Sequence, residues 1–366
     1  MDLWLVLVMA YLFEFANGWT DAPNSIATVV STRVLRPLPA VAMAAVLNLL
    51  GALAGLEVAK TIASGIISAD LVSLETIAAA VFGATIWALG AQYFGLPSSE
   101  SHALVAGLLG AGYAAGGLQG LEWEGTRKAL IGLVTSPIGG FFVSLLIMAS
   151  IYWIFAKFKP RIVRRFFGKA QILSAGFMAF SHGTNDAQKT IGIIALALYL
   201  HNNPGAPAPE EFPIDTWMIV SAALVMGLGT LVGGWRVIRT IGLRLTKLEP
   251  VHGFAAETGA AAVITVASRF GIPVSTTHAI GSSIMGVGAT QRLSAVRWGV
   301  AGQVVTAWIL TWPSCMALGF TLEKLFHNLY PPLVLGMVVG VIAIIAFMLF
   351  LRSRSQAQSS NLLASA

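Results

Sequence analysis

Long apolar stretches interrupted by short polar knots dominate the chain. They fall at roughly 3–32, 37–56, 74–112, 128–156, 171–200, 217–235, 250–290, 298–320 and 333–351. A membrane-spanning helix needs about 20 such residues at 1.5 Å rise each, so most of these stretches predict one span. The stretches 74–112 and 250–290 are too long for one crossing and are broken near Pro97 and Pro273. Each predicts a helical hairpin, either re-entrant or crossing twice.

Composition narrows the class. Of 366 residues 56% are hydrophobic and 10% are charged, with a mean hydropathy of +0.79. A soluble domain carries about 25% charged residues, so soluble folds and disordered chains are excluded. A lone cysteine, Cys315, excludes a disulfide scaffold. Thirty-eight glycines and ten tryptophans suit close helix packing and interfacial anchoring in lipid. The expected fold class is an all-α polytopic membrane protein. Met1-Asp2 opens without a basic segment, and no cleavage site follows the first apolar run, so a signal peptide is not expected.

Charge orients the chain. The net charge of +6 is gathered in short clusters between apolar runs, which the positive-inside rule explains better than nucleic-acid binding. Lys157, Lys159, Arg161, Arg164, Arg165 and Lys169 share 157–170 with no acid. That stretch is expected in the cytoplasm, as are Arg33/Arg36, Arg236 to Lys247, Arg292/Arg297 and Arg352/Arg354. The stretch 201–216, with Glu210, Glu211 and Asp215, is expected outside. An outside N-terminus and an inside C-terminus satisfy all of these placements.

The sequence also repeats itself. Phe15-Ala-Asn-Gly-Trp-Thr-Asp-Ala-Pro-Asn-Ser-Ile26 aligns with Phe180-Ser-His-Gly-Thr-Asn-Asp-Ala-Gln-Lys-Thr-Ile191, and Phe94–Ala103 aligns with Phe270–Ala279. Thr135-Ser-Pro137 matches Thr311-Trp-Pro313 in the same order. The charge assignments give the copies opposite orientations. Inverted repeats with broken helices near the midplane are the architecture of secondary transporters. The expected organisation is a first inverted repeat over 1–156, a basic cytoplasmic loop over 157–170, a second repeat over 171–320, and an additional C-terminal transmembrane helix and tail over 321–366.

Polar residues inside these spans are the candidate chemistry. An intramembrane acid costs about 2.5–3.5 kcal/mol on insertion scales and marks a functional site by default. Asp21 and Asp186 occupy matching repeat positions, and Asn17, Asn24, Asn185 and Thr184 add hard oxygen donors for a Na⁺-like ion or a proton carrier. The competing reading is a carboxylate capping a broken helix. Ser98, Ser99 and Ser101, with Ser275, Thr276 and Thr277, follow the hairpin prolines, where free helix N–H groups form an anion cradle; ordinary N-capping is the alternative. Lys189 could neutralise Asp186 or touch the anion. His102 and His278 are expected to be hydrogen-bonded packing residues, without metal or catalytic roles. Glu257 joins the coupling-ion candidates. Glu100, among the first hairpin's serines, is a candidate proton carrier and selectivity element, unless it turns away to meet water or a base.

Asn17–Asn24, His182–Lys189, Gly271–His278, Gly253-Phe-Ala-Ala-Glu257 and Thr311-Trp-Pro313 together resemble the signatures of the PiT family of inorganic phosphate transporters. The resemblance covers about residues 10–320. It implies a carrier of phosphate coupled to H⁺ or Na⁺, in some bacterial members as a neutral metal–phosphate complex, working by alternating access in the prokaryotic cytoplasmic membrane. The family includes sulfate permeases, so sulfate is the alternative anion. Many members carry Asn or His where Thr20 stands, and Ala where Pro23 stands; some carry Glu in place of Asn48, and a small hydroxyl residue is common in place of Glu100. The expected partners are phosphate, a coupling cation and the bilayer, with a homodimer allowed; no enzyme activity, cofactor or bound metal is expected.

Overall fold

A computed structural model describes residues 1–209, 211–329 and 331–364, without the side chains of 331 and 349–364. Glu210 and the side chains of Arg352 and Arg354 therefore lie outside the described residues. The described chain is helical, apart from one isolated bridge between Ile67 and Leu121.

The helices run α1 (Leu3–Ser31), α2 (Pro37–Ala52), α3 (Glu57–Gly65), α4 (Leu74–Phe94), α5 (Glu100–Gly116), α6 (Trp123–Ile154), α7 (Pro160–Asn202), α8 (Thr216–Val232), α9 (Trp235–Arg239), α10 (Pro250–Arg269), α11 (Thr276–Gln291), α12 (Trp298–Asn328) and α13 (Pro331–Ala364). By length and composition, α1, α4, α6 and α12 are each long and apolar enough to cross a membrane. Two further spans are bent: α2 meets α3 at 67°, and α8 meets α9 with its π-helical continuation Thr240–Arg244 at 60°.

Three boundaries differ from the sequence expectation. The basic stretch 157–170 is helical from Pro160, because proline at the first helical position starts α7 early. Residue 320 falls inside α12, which continues to Asn328. The short helices α3 and α9 begin where the apolar runs 37–56 and 217–235 end, and are not among the elements the sequence reading expects.

Each hairpin returns to the side from which it starts, as a re-entrant or a twice-crossing hairpin does. The entry and exit of the first are joined where Ser68 N donates to Gly120 O (3.1 Å) and Glu122 N to Ile66 O (3.0 Å). The second closes where Arg297 N donates to Leu245 O (2.9 Å) and Thr246 Oγ1 to Ala295 O (3.0 Å). Each hairpin turns at a glycine in the left-handed region, Gly95 at φ 67° and Gly271 at φ 66°, at aligned positions.

The two halves interlock. α5 packs on α12 and α11 on α6, so each hairpin rests on the final helix of the other half. Glycines let backbones meet at the crossings: a Cβ on Gly18 would lie 2.3 Å from Met226 O, and one on Gly183 would lie 2.1 Å from Asn48 O. Leu130, Val134, Ile138, Phe142 and Leu146 of α6 are exposed, as an apolar face suited to lipid. Trp4, Trp123, Trp153, Trp217 and Trp298 are exposed near helix ends, where indole rings anchor at the headgroup level.

Candidate functional site

The polar motifs converge in the centre of the bundle. α1 carries Asp21 and Asn24, and α7 carries Asp186 and Lys189. The starts of α5 and α11 arrive between them. Asp21, Asp186, Lys189, Glu100, Ser101, Thr276 and Thr277 are all at most 2% exposed. Such polar burial in a low-dielectric interior requires partners.

The partners cross all four elements. Thr277 Oγ1 donates to Asp21 Oδ1 (2.9 Å) and Thr276 Oγ1 to Asp186 Oδ2 (3.1 Å). Asn24 Nδ2 donates to both threonine hydroxyls, at 3.0 and 2.9 Å. Lys189 Nζ donates to Asp186 Oδ1 and to Ser101 Oγ. Ser101 Oγ in turn donates to Val274 O (2.9 Å), tying the two hairpin tips together. Glu100 does not turn away: it accepts from Ser98 Oγ (3.3 Å), and its carboxyl faces Asp21. Two carboxyl groups so placed repel, and a shared proton or a bound cation would relieve the repulsion.

Serines 99 and 275 have the simpler role. Each is an N-cap whose hydroxyl accepts from the histidine N–H three residues on, at 3.2 and 3.1 Å. Those histidines pack as expected but are not hydrogen-bonded through their side chains. The His102 and His278 rings lie 4.6 Å apart, His278 lies 4.0 Å from Trp308, and none of the four ring nitrogens has a hydrogen-bond partner. Aromatic stacking fills the space where a polar partner would sit.

The coupling-ion candidates divide among several places. Asp21, Asn24 and Asp186 form the central cluster. Asn185 donates to Ser268 Oγ (2.8 Å), and Asn17 turns toward Glu14. Glu257 sits in its own pocket, accepting from Thr28, Ser174 and, at 3.1 Å, Gln171. The repeat-equivalent positions Val81, Ile193, Met9 and Val6 form no such pocket; all four are apolar and buried.

Sequence reading passed over two residues. Glu14 is a fully buried acid in α1, and the rule that selected Asp21 selects it equally. His182 shares the second motif with Asp186; its Nδ1 lies 3.1 Å from Asn48 Oδ1, and its Nε2 lies 3.2 Å from Asp186 Oδ2. Asn48 Nδ2 donates to Thr230 Oγ1 (3.2 Å), which leaves Oδ1 to accept from the ring and turns Nε2 to Asp186. Ligand atoms of Asp21, His182 and Asp186 lie within 4.8 Å of one another, a set able to hold a metal ion.

Comparison with known proteins agrees with this geometry. A profile of the phosphate transporter family matches residues 17–319. The chain is 46% identical over 310 residues to a "Probable low-affinity inorganic phosphate transporter" of Rhizobium meliloti (strain 1021), covering 84% of this chain and 92% of that protein. A protein of Bacillus subtilis (strain 168) described in the same words is 39% identical over 333 residues, covering 88% and 97%. Among solved structures, one titled "The sodium-dependent phosphate transporter" superposes with a TM-score of 0.82 at 24% identity, covering 90% of this chain and 99% of that one. The relatives are transporters, and the central cluster sits inside the matched region: this chain belongs to the phosphate transporter family.

Proposed function

We propose that the chain carries inorganic phosphate across the membrane together with H⁺ or Na⁺, by alternating access around the central cluster. The observation that carries this reading is the meeting of the N-termini of the hairpin helices α5 and α11 at Asp21, Asp186, Glu100 and Lys189. Free N–H groups and hydroxyls at a helix start favour an anion. The surrounding carboxylates outnumber the one ammonium, so an oxyanion gains entry only when cations enter with it. This electrostatic requirement is the physical basis of symport. The name of the structural neighbour specifies sodium for that protein. Sulfate is not favoured, because the names of the relatives all specify phosphate.

Surface cavities at the two hairpin tips suit the two access routes. One, of about 220 Å³, is lined by Lys60, Thr61 and Gly271; the other, of about 380 Å³, by Gly95, Arg236 and Arg239. The first hairpin's tip is latched to α9 and its continuation: Arg236 donates to Tyr93 O, and Thr240 Oγ1 donates to Gly95 O (3.1 Å). The basic stretch 157–170 and the acidic stretch 201–216 suit an outside N-terminus and an inside C-terminus. In a Cys315→Ala background, Asn203→Cys should react with an impermeant thiol reagent on intact cells, while Phe158→Cys should not. Labelling of both positions would reject this topology.

The function is tested by uptake of radiolabelled phosphate and sulfate into proteoliposomes with imposed Na⁺ or pH gradients. Saturable, gradient-driven accumulation of phosphate is expected, and its absence under either gradient would refute the reading. Glu100→Gln should weaken uptake and reduce discrimination against sulfate. Near neutral pH phosphate retains a proton that the carboxylate can accept, and fully ionised sulfate has none. Competition uptake checks this, and unchanged selectivity together with an unchanged pH profile would reject the role for Glu100.

A further inference from the structure

Glu14 is a buried acid outside the central cluster. Glu14 lies two helical turns before Asp21 on α1, about 10 Å along the axis at 1.5 Å per residue. Its Oε2 accepts from Thr190 of α7 and, at 3.5 Å, from Asn17 Nδ2. Its Oε1 and the Asn17 Oδ1 are both buried and have no partner. Both residues are 0% exposed.

That arrangement is half of a cyclic acid–amide pair. In the complete pair the amide N–H donates to one acid oxygen, and the acid O–H donates back to the amide oxygen. Here the first bond is present though long, and the two remaining oxygens are both acceptors. With Glu14 ionised they are left unsatisfied in the membrane interior, where an unpaired buried acceptor is costly. One proton on Oε1 removes the buried charge and supplies a donor beside the unpartnered Asn17 Oδ1.

We propose that Glu14 is a proton-carrying carboxyl of the transport cycle, with Asn17 as the partner that holds its protonated form. This inference rests on the phosphate-symport reading and specifies its coupling ion. Thr190 adjoins Lys189, so the Glu14–Thr190 bond joins α1 to α7 beside the residues that contact the anion. Proton loss from Glu14 thus acts on the joint between the two motif helices. The repeat-equivalent positions, Ala179, His182 and Ser25, place no second acid, so the device is single.

The charged groups acting on Glu14 are Asp186 and Lys189 of α7. α2 and α8 carry no titratable side chain. On α4, Glu75 is bound to the amino terminus and Tyr93 lies at the far end. Of the hairpin helix groups, Glu257 is bound to Thr28 and His278 is stacked on Trp308. The arginines of α9 and its continuation lie beside the first hairpin's tip.

The test uses the full chain in sodium-free proteoliposomes loaded with a pH-sensitive dye, reading protons moved per phosphate at fixed pH. Glutamine keeps a donor for Asn17 Oδ1 but cannot release a proton. Glu14→Gln should therefore retain phosphate–phosphate exchange while moving one proton fewer per phosphate than the unaltered protein. Asn17→Ala, which leaves the acid but removes the amide in contact with it, should shift the pH profile of uptake. A wild-type ratio in Glu14→Gln, or an unshifted profile in Asn17→Ala, would overturn the proposal. Phosphate uptake driven by sodium without proton movement would overturn it and leave the phosphate reading standing. No phosphate movement by the unaltered protein under any gradient would overturn both.

Discussion

Asp186→Asn should abolish gradient-driven phosphate uptake and destabilise the protein by about 3–5 kcal/mol, the usual cost of removing one partner from a buried ion pair. Asp186 binds Lys189 and accepts from Thr276, and His182 Nε2 lies 3.2 Å away. Without its charge, Lys189 becomes an uncompensated cation that is 0% exposed. Asp186→Asn combined with Lys189→Met removes both charges and should recover most of the lost stability. It should not recover uptake, because the anion contact and the cation ligand are both gone. Thermal unfolding of the purified single and double variants, beside uptake assays, separates these roles. Full uptake by a folded double variant would show that the pair only holds the helices together.

Gly183→Ala should prevent accumulation of folded protein. A Cβ there would sit 2.1 Å from Asn48 O, and Gly51 on the facing helix has the same relation to Phe180 O. These oxygens belong to backbone, so α2 and α7 must separate, and overpacking of this kind costs about 1–3 kcal/mol or more. Separation also carries Asn48 away from His182, whose ring it orients toward Asp186. Detergent-solubilised yield of monodisperse protein and its melting temperature are the measurements. Normal yield and melting would mean that the crossing is looser than the backbone contacts indicate.

The hairpins, the repeat and the two motif helices were legible in the sequence because each leaves a local mark. Pro97 and Pro273 break apolar runs, and Asp21 and Asp186 stand out against hydrocarbon. The bends after α2 and α8 fall where the apolar runs end, at Gly55 and Gly233-Gly234, marks that a reading by span length passes over. The sites were legible by residue type but not by partner. Nothing in the spacing of Ser98, Ser99 and Ser101 separates the cap, Ser99, from Ser101, which reaches Lys189; that is decided by how α7 packs against the second half. Glu257 and its donors Thr28, Ser174 and Gln171 come from three helices and meet only on folding. Glu14 was visible as an intramembrane acid, but its half-formed pairing with Asn17 depends on side-chain orientation along α1.

The requirement that cations enter with the anion is tested most directly by equilibrium phosphate binding to the purified protein across a range of Na⁺ concentration and pH. The carboxylates around the hairpin tips should make phosphate affinity rise by about tenfold or more as one of the two cations saturates, a coupling of at least ~1.4 kcal/mol. In an Asp21→Asn/Asp186→Asn double variant that dependence should vanish. Phosphate affinity indifferent to both Na⁺ and pH in the unaltered protein would contradict the account.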